Sequence, residues 1–248
     1  MQKTYTEIFT VRATDCDVNR RMRPAALFIA MQEGGECHAR MLGLGYDAMM
    51  ARGLFFVLAR VHVRFDRAPR CGEKVVHRTW PGKSNRFFCP RYHVFTLEDG
   101  TPLASAGALW VMLDTNERKI VSPKTAALPF PDTSDIPAPI ELPNRMPQLG
   151  QTTRDITYTP VYTDYDINGH VNNTRYIAWL CDTLGKEIMD SGYLADFTAG
   201  YEKEVRESAP LRLNLSLTDE RFTFAAVSQS GEKHFVAGGT LRREDSHE

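Results

Sequence analysis

The sequence has few of the features that mark extracellular, membrane or nucleic-acid-binding proteins. Its five cysteines are odd in number and widely spaced, without a CxxC pair, so neither a disulfide framework nor a zinc site is predicted. No apolar run approaches the roughly 18 residues of a membrane helix, and the N-terminus does not resemble a signal peptide. The formal net charge is only −1, which offers no global attraction to nucleic acid or anionic membranes. We therefore expect a reduced, cytoplasmic protein that binds neither.

What the sequence does contain is an internal repeat. The segment TDCDVNRRM at 14–22 is matched without gaps by TDYDINGHV at 163–171. Each copy is followed by apolar residues at helical spacing. The first helix is predicted to begin at Pro24. The second is predicted over 172–189 and can be capped by Asn172 or Asn173. The chain is therefore predicted to be built from two copies of one structural unit.

Alternating patterns and turn residues predict four strands after each helix. They cover roughly 54–66, 73–80, 84–98 and 101–114 in the first copy, and 196–206, 211–218, 220–229 and 233–243 in the second. Between the copies, residues 122–150 hold half of the 14 prolines and are predicted to be an extended linker. The division is thus 1–121, 122–150 and 151–248. An antiparallel sheet that curls around a long helix buries both apolar faces, and two such α+β units can join edge to edge.

The second copy resembles the acyl-acyl-carrier-protein thioesterases of plants and bacteria. TDYDINGHVNNTRYIAWL at 163–180 contains that family's D-x-N-x-H-V-N-N pattern, and YEKEVRES at 201–208 resembles the segment that holds its catalytic glutamate. RVHVRFDRAPRCGEKV at 60–75 also resembles the family's first half. The resemblance implies two tandem hotdog domains, each an antiparallel sheet wrapped around a long central helix, of which only the second is catalytic.

The same resemblance implies the site residues. The catalytic set is Asp166, Asn168, His170 and Glu204, with Asn172 and Asn173 binding substrate. In the first copy Arg21 stands at the position of His170, and an alignment on the proline pair Pro69 and Pro210 places Val63 at the position of Glu204. The first copy therefore keeps the turn without the chemistry. Some plant members have a cysteine after the glutamate, but Val205 stands there in this chain, which favours attack by water over a covalent acyl-cysteine.

Thioester hydrolysis needs a base to activate the nucleophile and donors for the developing oxyanion. We expect Glu204 and His170 to activate water, Asp166 to orient its neighbours, and Asn168 with the N-terminus of the following helix to position the thioester. The expected reaction releases free fatty acid from a fatty-acyl phosphopantetheine on acyl carrier protein. No cofactor or metal is expected, and the chain can be a monomer or a homodimer.

Three alternatives bear on this interpretation. The segment DYDING at 164–169 matches the opening of a calcium loop, but Arg175 occupies the position of its bidentate glutamate, so calcium binding is rejected. An acyl-coenzyme A thioesterase and a non-catalytic acyl-binding protein both stay open. The basic residues at 60–91 have two interpretations, either a docking surface for the carrier protein or an ordinary solvated surface. We hypothesise that Arg86 and Arg91 contact the acidic carrier.

Overall fold

The computed structural model describes residues 2–243 and contains the two predicted copies. The first comprises strand β1 (Tyr5–Thr10), a 3₁₀ turn (Ala13–Asp15), helices α1 (Pro24–Met41) and α2 (Tyr46–Met50), and strands β2 (Leu54–Phe65), β3 (Lys74–Pro81), β4 (Phe88–Leu97) and β5 (Pro102–Asp114). The second comprises β6 (Arg154–Tyr158), a 3₁₀ turn (Tyr162–Asp164), α3 (Asn173–Leu184), α4 (Lys186–Ser191), β7 (Gly192–Tyr201), β8 (Leu211–Thr218), β9 (Arg221–Ser228) and β10 (Lys233–Arg243).

All strands belong to one ten-stranded antiparallel sheet with the order β1-β3-β4-β5-β2-β7-β10-β9-β8-β6. The order reads as one five-stranded pattern followed by its reverse, and β2 pairs with β7 at the junction, from Arg60↔Gly200 to Arg64↔Asp196. The edge-to-edge union of two α+β hotdog units is thereby confirmed. No helix within residues 2–243 is long and apolar enough to cross a membrane.

The two long helices pack on one face of the sheet because the inward residues of the strands are apolar. In β2, Val61 and Val63 are fully buried against the helices. Phe28 of α1 stacks on Phe197 of β7 with ring centroids 6.1 Å apart, across the junction between the copies. The side chains of both copies therefore form one continuous hydrophobic core.

The segment after β5 crosses the opposite face of the sheet and has no helix or strand of its own between Asp114 and Arg154. Its course is set by strand glycines. A Cβ on Gly200 of β7 would lie 2.4 Å from Met146, and one on Gly238 of β10 would lie 2.6 Å from Pro147. Ile140 is 7% exposed. This segment is therefore packed against the sheet, while the domain limits at 121 and 150 stay a prediction.

Three details differ from the sequence predictions. The second long helix does not run unbroken to residue 189, because Gly185 adopts φ 90° and separates α3 from α4. Strand β7 begins earlier than predicted and ends at Tyr201, since the backbone N–H groups of Glu202 and Lys203 donate to the carbonyl of His234. Helix α2 was not predicted, being only five residues long.

Candidate active site

The turn that contains His170 is a local structure that both copies share. Asp166 N–H donates to the carbonyl of His170, and the Asp166 carboxylate accepts from Asn168 N–H at 2.8 Å. Gly169 completes the turn with φ 69°. Asp17 makes the corresponding contacts in the first copy, where Arg20 has φ 61°. The spacing of this motif is therefore explained by turn geometry before any chemistry is considered.

The first copy uses the turn to hold the second copy in place. Arg21 is 2% exposed, and its Nε donates to Asp17 Oδ2 at 2.9 Å. Its Nη2 donates to the carbonyl of Met189, and Asn19 Nδ2 donates to the carbonyl of Asp190 at 2.7 Å. The arginine at the position that matches His170 thus contacts the second copy.

The contacts correct the predicted partner of Glu204 in the first copy. Val171 N–H donates to the carbonyl of Val205, and in the first copy Met22 N–H donates to the carbonyl of Pro69. The position before Pro69 is Ala68, so Ala68, and not Val63, corresponds to Glu204. The alignment on prolines was wrong because the two prolines are not equivalent: Pro69 lies four residues after the end of β2, whereas Pro210 directly precedes β8. The first copy still lacks a carboxylate there.

His170 and Glu204 meet at the end of this turn. His170 Nε2 lies 3.3 Å from Glu204 Oε2, although their orientation does not meet hydrogen-bond geometry. Glu204 lies in the irregular segment after β7 and not on a strand as predicted. Burial lowers the pKa of His170, and the nearby Glu204 carboxylate offsets this only in part. At neutral pH the imidazole is therefore uncharged and able to accept a proton.

Two arginines that the sequence interpretation did not include hold the Glu204 carboxylate. Arg118 Nη2 donates to both carboxylate oxygens, at 2.6 and 2.7 Å, and Arg206 Nη2 donates to Oε2 at 3.0 Å. Arg118 belongs to the first copy and follows β5 in a turn with φ 53°. Arg206 could have been noted because it lies two residues after Glu204, whereas nothing in the sequence links Arg118 to this site.

A cleft between the two copies is lined by three of the other predicted site residues, but not by Asn173. It has a volume of about 1050 Å³, and Asp166, Asn168 and Asn172 form one wall while Gln32 and Glu36 of α1 lie on the other. Asn168 is exposed. The predicted site residues therefore form two groups, the wall of the cleft and the His170–Glu204 pair. The turn that contains Asp166 and His170 connects the two groups.

Asn172 and Asn173 begin helix α3. Asn172 is the N-cap, and its Oδ1 accepts from Thr174 N–H at 2.9 Å and from Thr174 Oγ1 at 2.8 Å. The carbonyl of Asn173 accepts from the Tyr201 hydroxyl at 3.1 Å. The capping role predicted for this pair is confirmed for Asn172.

Asp164, which would be the first ligand of a calcium loop, is fully buried and already paired. Its carboxylate accepts from Arg175 Nε at 2.7 Å, from the Tyr158 hydroxyl at 2.7 Å and from Val161 N–H at 2.8 Å. Burial opposes ionisation, but these hydrogen bonds outweigh it and lower the pKa of Asp164. No cluster of three or more His, Cys, Asp or Glu side chains that could hold a metal occurs within residues 2–243.

A smaller pocket adjoins the cleft at Gln32 and Glu36, which line both. It has a volume of about 120 Å³, lies between α1 and the sheet of the first copy, and has apolar walls that include Phe56, Trp110 and Phe130. Arg91 also lines it. The hypothesis that Arg91 docks a carrier protein stays a prediction, although the half-buried side chain points under α1. Arg86 is exposed and stays a docking candidate.

Two family models match the chain. One describes the acyl-ACP thioesterase N-terminal domain and matches residues 2–125, and the other describes the acyl-ACP thioesterase C-terminal domain and matches residues 149–237. The chain belongs to the acyl-ACP thioesterase family. The C-terminal match contains His170, Glu204, Arg206 and the cleft wall of the second copy, whereas the N-terminal match contains Arg118.

Similar proteins agree with this membership. A chloroplastic palmitoyl-acyl carrier protein thioesterase of Cuphea hookeriana is 28% identical over 218 residues, which are 82% of this chain and 52% of the relative. A chloroplastic dodecanoyl-[acyl-carrier-protein] hydrolase of Cinnamomum camphora is 29% identical over 215 residues, 81% of this chain and 56% of the relative. The chain thus spans about half the length of these curated relatives.

A solved structure supports the fold. The acyl-ACP thioesterase of Bacteroides thetaiotaomicron superposes with a TM-score of 0.86 at 24% identity, covering 96% of this chain and 98% of that one. The two-copy arrangement of a single curved sheet is therefore shared with a solved structure over nearly the full length of both chains.

Proposed function

We propose that this chain hydrolyses fatty-acyl thioesters carried by acyl carrier protein, releasing free fatty acid and the holo carrier. The observation that carries the proposal is the contact between His170 Nε2 and Glu204 Oε2. It lies in the copy that matches the family's C-terminal domain. The relatives' names describe the same reaction on acyl carrier protein.

In the proposed reaction, a water oxygen attacks the thioester carbonyl and its proton passes to the His170–Glu204 pair. Neutral His170 accepts the proton, and the Glu204 carboxylate stabilises the imidazolium that forms. When the tetrahedral intermediate collapses, the carbon–sulfur bond breaks and the proton returns to the thiolate of the phosphopantetheine. The products are a fatty acid and a free thiol, so atoms and charges balance.

The substrate is proposed to lie in the cleft between the copies. Asn168, exposed on the cleft wall, positions the thioester carbonyl together with backbone N–H groups at the start of α3. Asp166 fixes the turn that presents Asn168 and His170, and Asn172 and Asn173 lie beside the entering substrate. The acyl chain continues from the cleft into the pocket of the first copy, because Gln32 and Glu36 line both spaces.

The position directly after Glu204 offers no cysteine for a covalent acyl-enzyme intermediate. The residue after Glu204 is Val205, which is 5% exposed and has no nucleophilic atom. The proposed mechanism therefore uses water throughout.

Steady-state release of free fatty acid from matched acyl-carrier-protein and acyl-coenzyme A thioesters tests the proposal. Wild type is expected to prefer the carrier-protein thioesters. Glu204→Gln is expected to lower kcat by roughly 10²–10⁴-fold, the usual contribution of general-base catalysis, because the imidazolium of His170 is no longer stabilised by a carboxylate. Glu207→Gln is the matched control, because Glu207 is an exposed carboxylate three residues away.

The alternatives give different outcomes. A preference for coenzyme A thioesters would keep the chemistry and replace the proposed carrier. Stoichiometric acyl binding without turnover on either substrate would show an acyl-binding protein instead. Wild-type rates in a correctly folded Glu204→Gln variant would remove Glu204 from the mechanism.

A further inference from the structure

Arg91 is half-buried beneath α1 and has no carboxylate partner among residues 2–243. Its Nη1 donates to His38 Nδ1 at 3.3 Å and to Thr79 Oγ1 at 3.2 Å, and both acceptors are uncharged. No carboxylate within residues 2–243 forms an ion pair with it. Burial lowers the pKa of Arg91 to about 10, with the nearest offsetting charge on Glu36, so the guanidinium keeps its charge at neutral pH. Partial burial of a cation without an anionic partner is costly unless a further acceptor is supplied.

The remaining donors of this guanidinium face the small pocket. Nη2 and Nε donate no hydrogen bond to any residue of the described chain. Neither nitrogen belongs to the fully buried polar atoms of that chain that lack a hydrogen-bond partner. Both nitrogens therefore keep accessible surface, and the pocket lined by Arg91 is the space beside them. A guanidinium carries five N–H donors in a fixed plane, so several of them are left for a ligand.

The fold makes specific room for this group. Helix α1 carries two adjacent glycines, Gly34 and Gly35, in its middle, where glycine weakens a helix. A Cβ on Gly35 would lie 3.4 Å from Arg91 Cδ, and one on Gly34 would lie 2.5 Å from His77 Cε1. The two glycines thus let α1 approach the sheet closely above the side chains of His77 and Arg91. A pocket with only apolar lining would not require this close approach.

The rest of the pocket also indicates which ligand would fit. Its walls are mostly apolar and include Leu44, Phe56, Trp110 and Phe130, while Glu36 lines the same space as Arg91. A plain hydrocarbon would leave the Arg91 donors unpaired, and a carboxylate would meet the negative charge of Glu36. A hydroxyl group fits both, because its oxygen accepts from Arg91 and its hydrogen donates to Glu36.

We propose that Arg91 and Glu36 bind a hydroxyl group on the far part of the acyl chain, so that hydroxyacyl groups are preferred over plain ones of equal length. We specify the far part of the acyl chain because Gln32 and Glu36 lie between this pocket and the cleft wall formed by Asp166 and Asn168. That the ligand is the acyl group of a thioester substrate rests on the proposed function. The affinity of the pocket for a hydroxylated chain does not.

Calorimetric binding of free fatty acids tests this without any turnover. Wild type is expected to bind 10-hydroxydecanoate at least tenfold more tightly than decanoate and decanedioate. Arg91→Met, which keeps length and removes the donors, is expected to abolish the preference, and Arg91→Lys is expected to keep part of it. Arg78→Met is the matched control, since Arg78 is exposed on the neighbouring strand β3 and is expected to change nothing.

The comparison of ligands on wild type decides the matter even if Arg91→Met fails to fold. Equal or tighter binding of decanoate would overturn the proposal, and so would tightest binding of decanedioate. Glu36→Gln gives a second test and is expected to weaken binding of 10-hydroxydecanoate severalfold with little effect on decanoate. Equal weakening of both ligands would remove the role of Glu36. Hydrolysis of plain acyl thioesters with no preference in binding would leave the proposed function intact and overturn this inference alone.

Discussion

At the scale of the residue, the pair His170 and Glu204 depends on arginines from both copies. Arg118 reaches Glu204 from the first copy through two hydrogen bonds to one carboxylate, and its guanidinium lies 5.3 Å from the ring centroid of Phe55. Charge-assisted hydrogen bonds of this kind fix the orientation of the carboxylate and stabilise its negative charge. The first copy therefore contributes to the candidate site by holding the carboxylate that faces His170.

Replacing Arg118 tests that contribution. Arg118→Met is expected to lower kcat for thioester hydrolysis by roughly tenfold to a hundredfold, because a small misplacement of a catalytic group is costly. Lys119→Met is the control, since the Lys119 side chain is 78% exposed and contacts only Glu117 among the ion pairs of the described chain. Both variants should melt close to wild type. An Arg118→Met enzyme with the control's rate would show that Glu204 is held sufficiently by Arg206.

The protonation of His170 predicts the acid limb of the pH profile. Its ordinary pKa is about 6.5, and burial lowers it in the folded protein. The competent form is neutral, so kcat/KM is expected to rise with pH through a midpoint below 6.5. The cation of Arg206 contributes to this lowering, and Arg206→Gln should therefore move the midpoint to higher pH.

Measurement of kcat/KM from pH 4.5 to 8 reports the free enzyme. Arg212→Gln makes the same change of charge on an exposed residue of β8 and is expected to leave the midpoint in place. A midpoint above 6.5 in wild type, or a downward shift in Arg206→Gln, would contradict the assignment of His170 as proton acceptor.

At the scale of the element, the alternation of polar and apolar residues predicted most strands, and its failures have physical causes. Residues of β2 alternate as expected, with Val61 and Val63 buried and Arg64 exposed. The half-buried position of Arg91 was not predicted because a charged residue on a strand is normally exposed, and only the glycine pair of α1 hints at the space that receives it. The position of Glu204 after a strand depends on a contact with β10, which local sequence does not encode.

The break between α3 and α4 predicts a stability effect at Gly185. Its φ of 90° disfavours any residue with a side chain, and a Cβ there would lie 2.6 Å from Arg154 Nη1. That nitrogen donates to the carbonyls of Thr183 and Leu184, each at 2.7 Å, which closes the end of α3. Gly185→Ala is expected to lower the free energy of unfolding by about 1–3 kcal/mol.

Urea unfolding followed by circular dichroism measures this loss. Glu187→Ala, an exposed change in the first turn of α4, should stay within about 0.5 kcal/mol of wild type. If the two variants were equally stable, the left-handed backbone and the Arg154 contact would not contribute to ending α3.

At the scale of the whole molecule, the junction of the copies decides whether they unfold separately. Five residue pairs join β2 to β7, from Arg60↔Gly200 to Arg64↔Asp196. The hydrophobic core continues across them through Phe28 and Phe197, and Arg21 links the first copy to α4. The site itself also needs both copies, because Arg118 and Glu204 come from different ones. We expect the chain to unfold as a single cooperative unit.

Phe197→Ala removes the aromatic stacking with Phe28 across this junction. Phe197 is 1% exposed, and loss of a buried phenylalanine costs about 3–5 kcal/mol. In a cooperative molecule this loss of stability speeds hydrogen exchange equally in β4 of the first copy and β9 of the second. Hydrogen exchange followed by mass spectrometry resolves peptides from both strands, and Phe87→Ala, at a side chain that is 46% exposed, is the control. Faster exchange confined to β9 would mean that the copies open independently, and that the junction aligns the site without coupling the stability of its two halves.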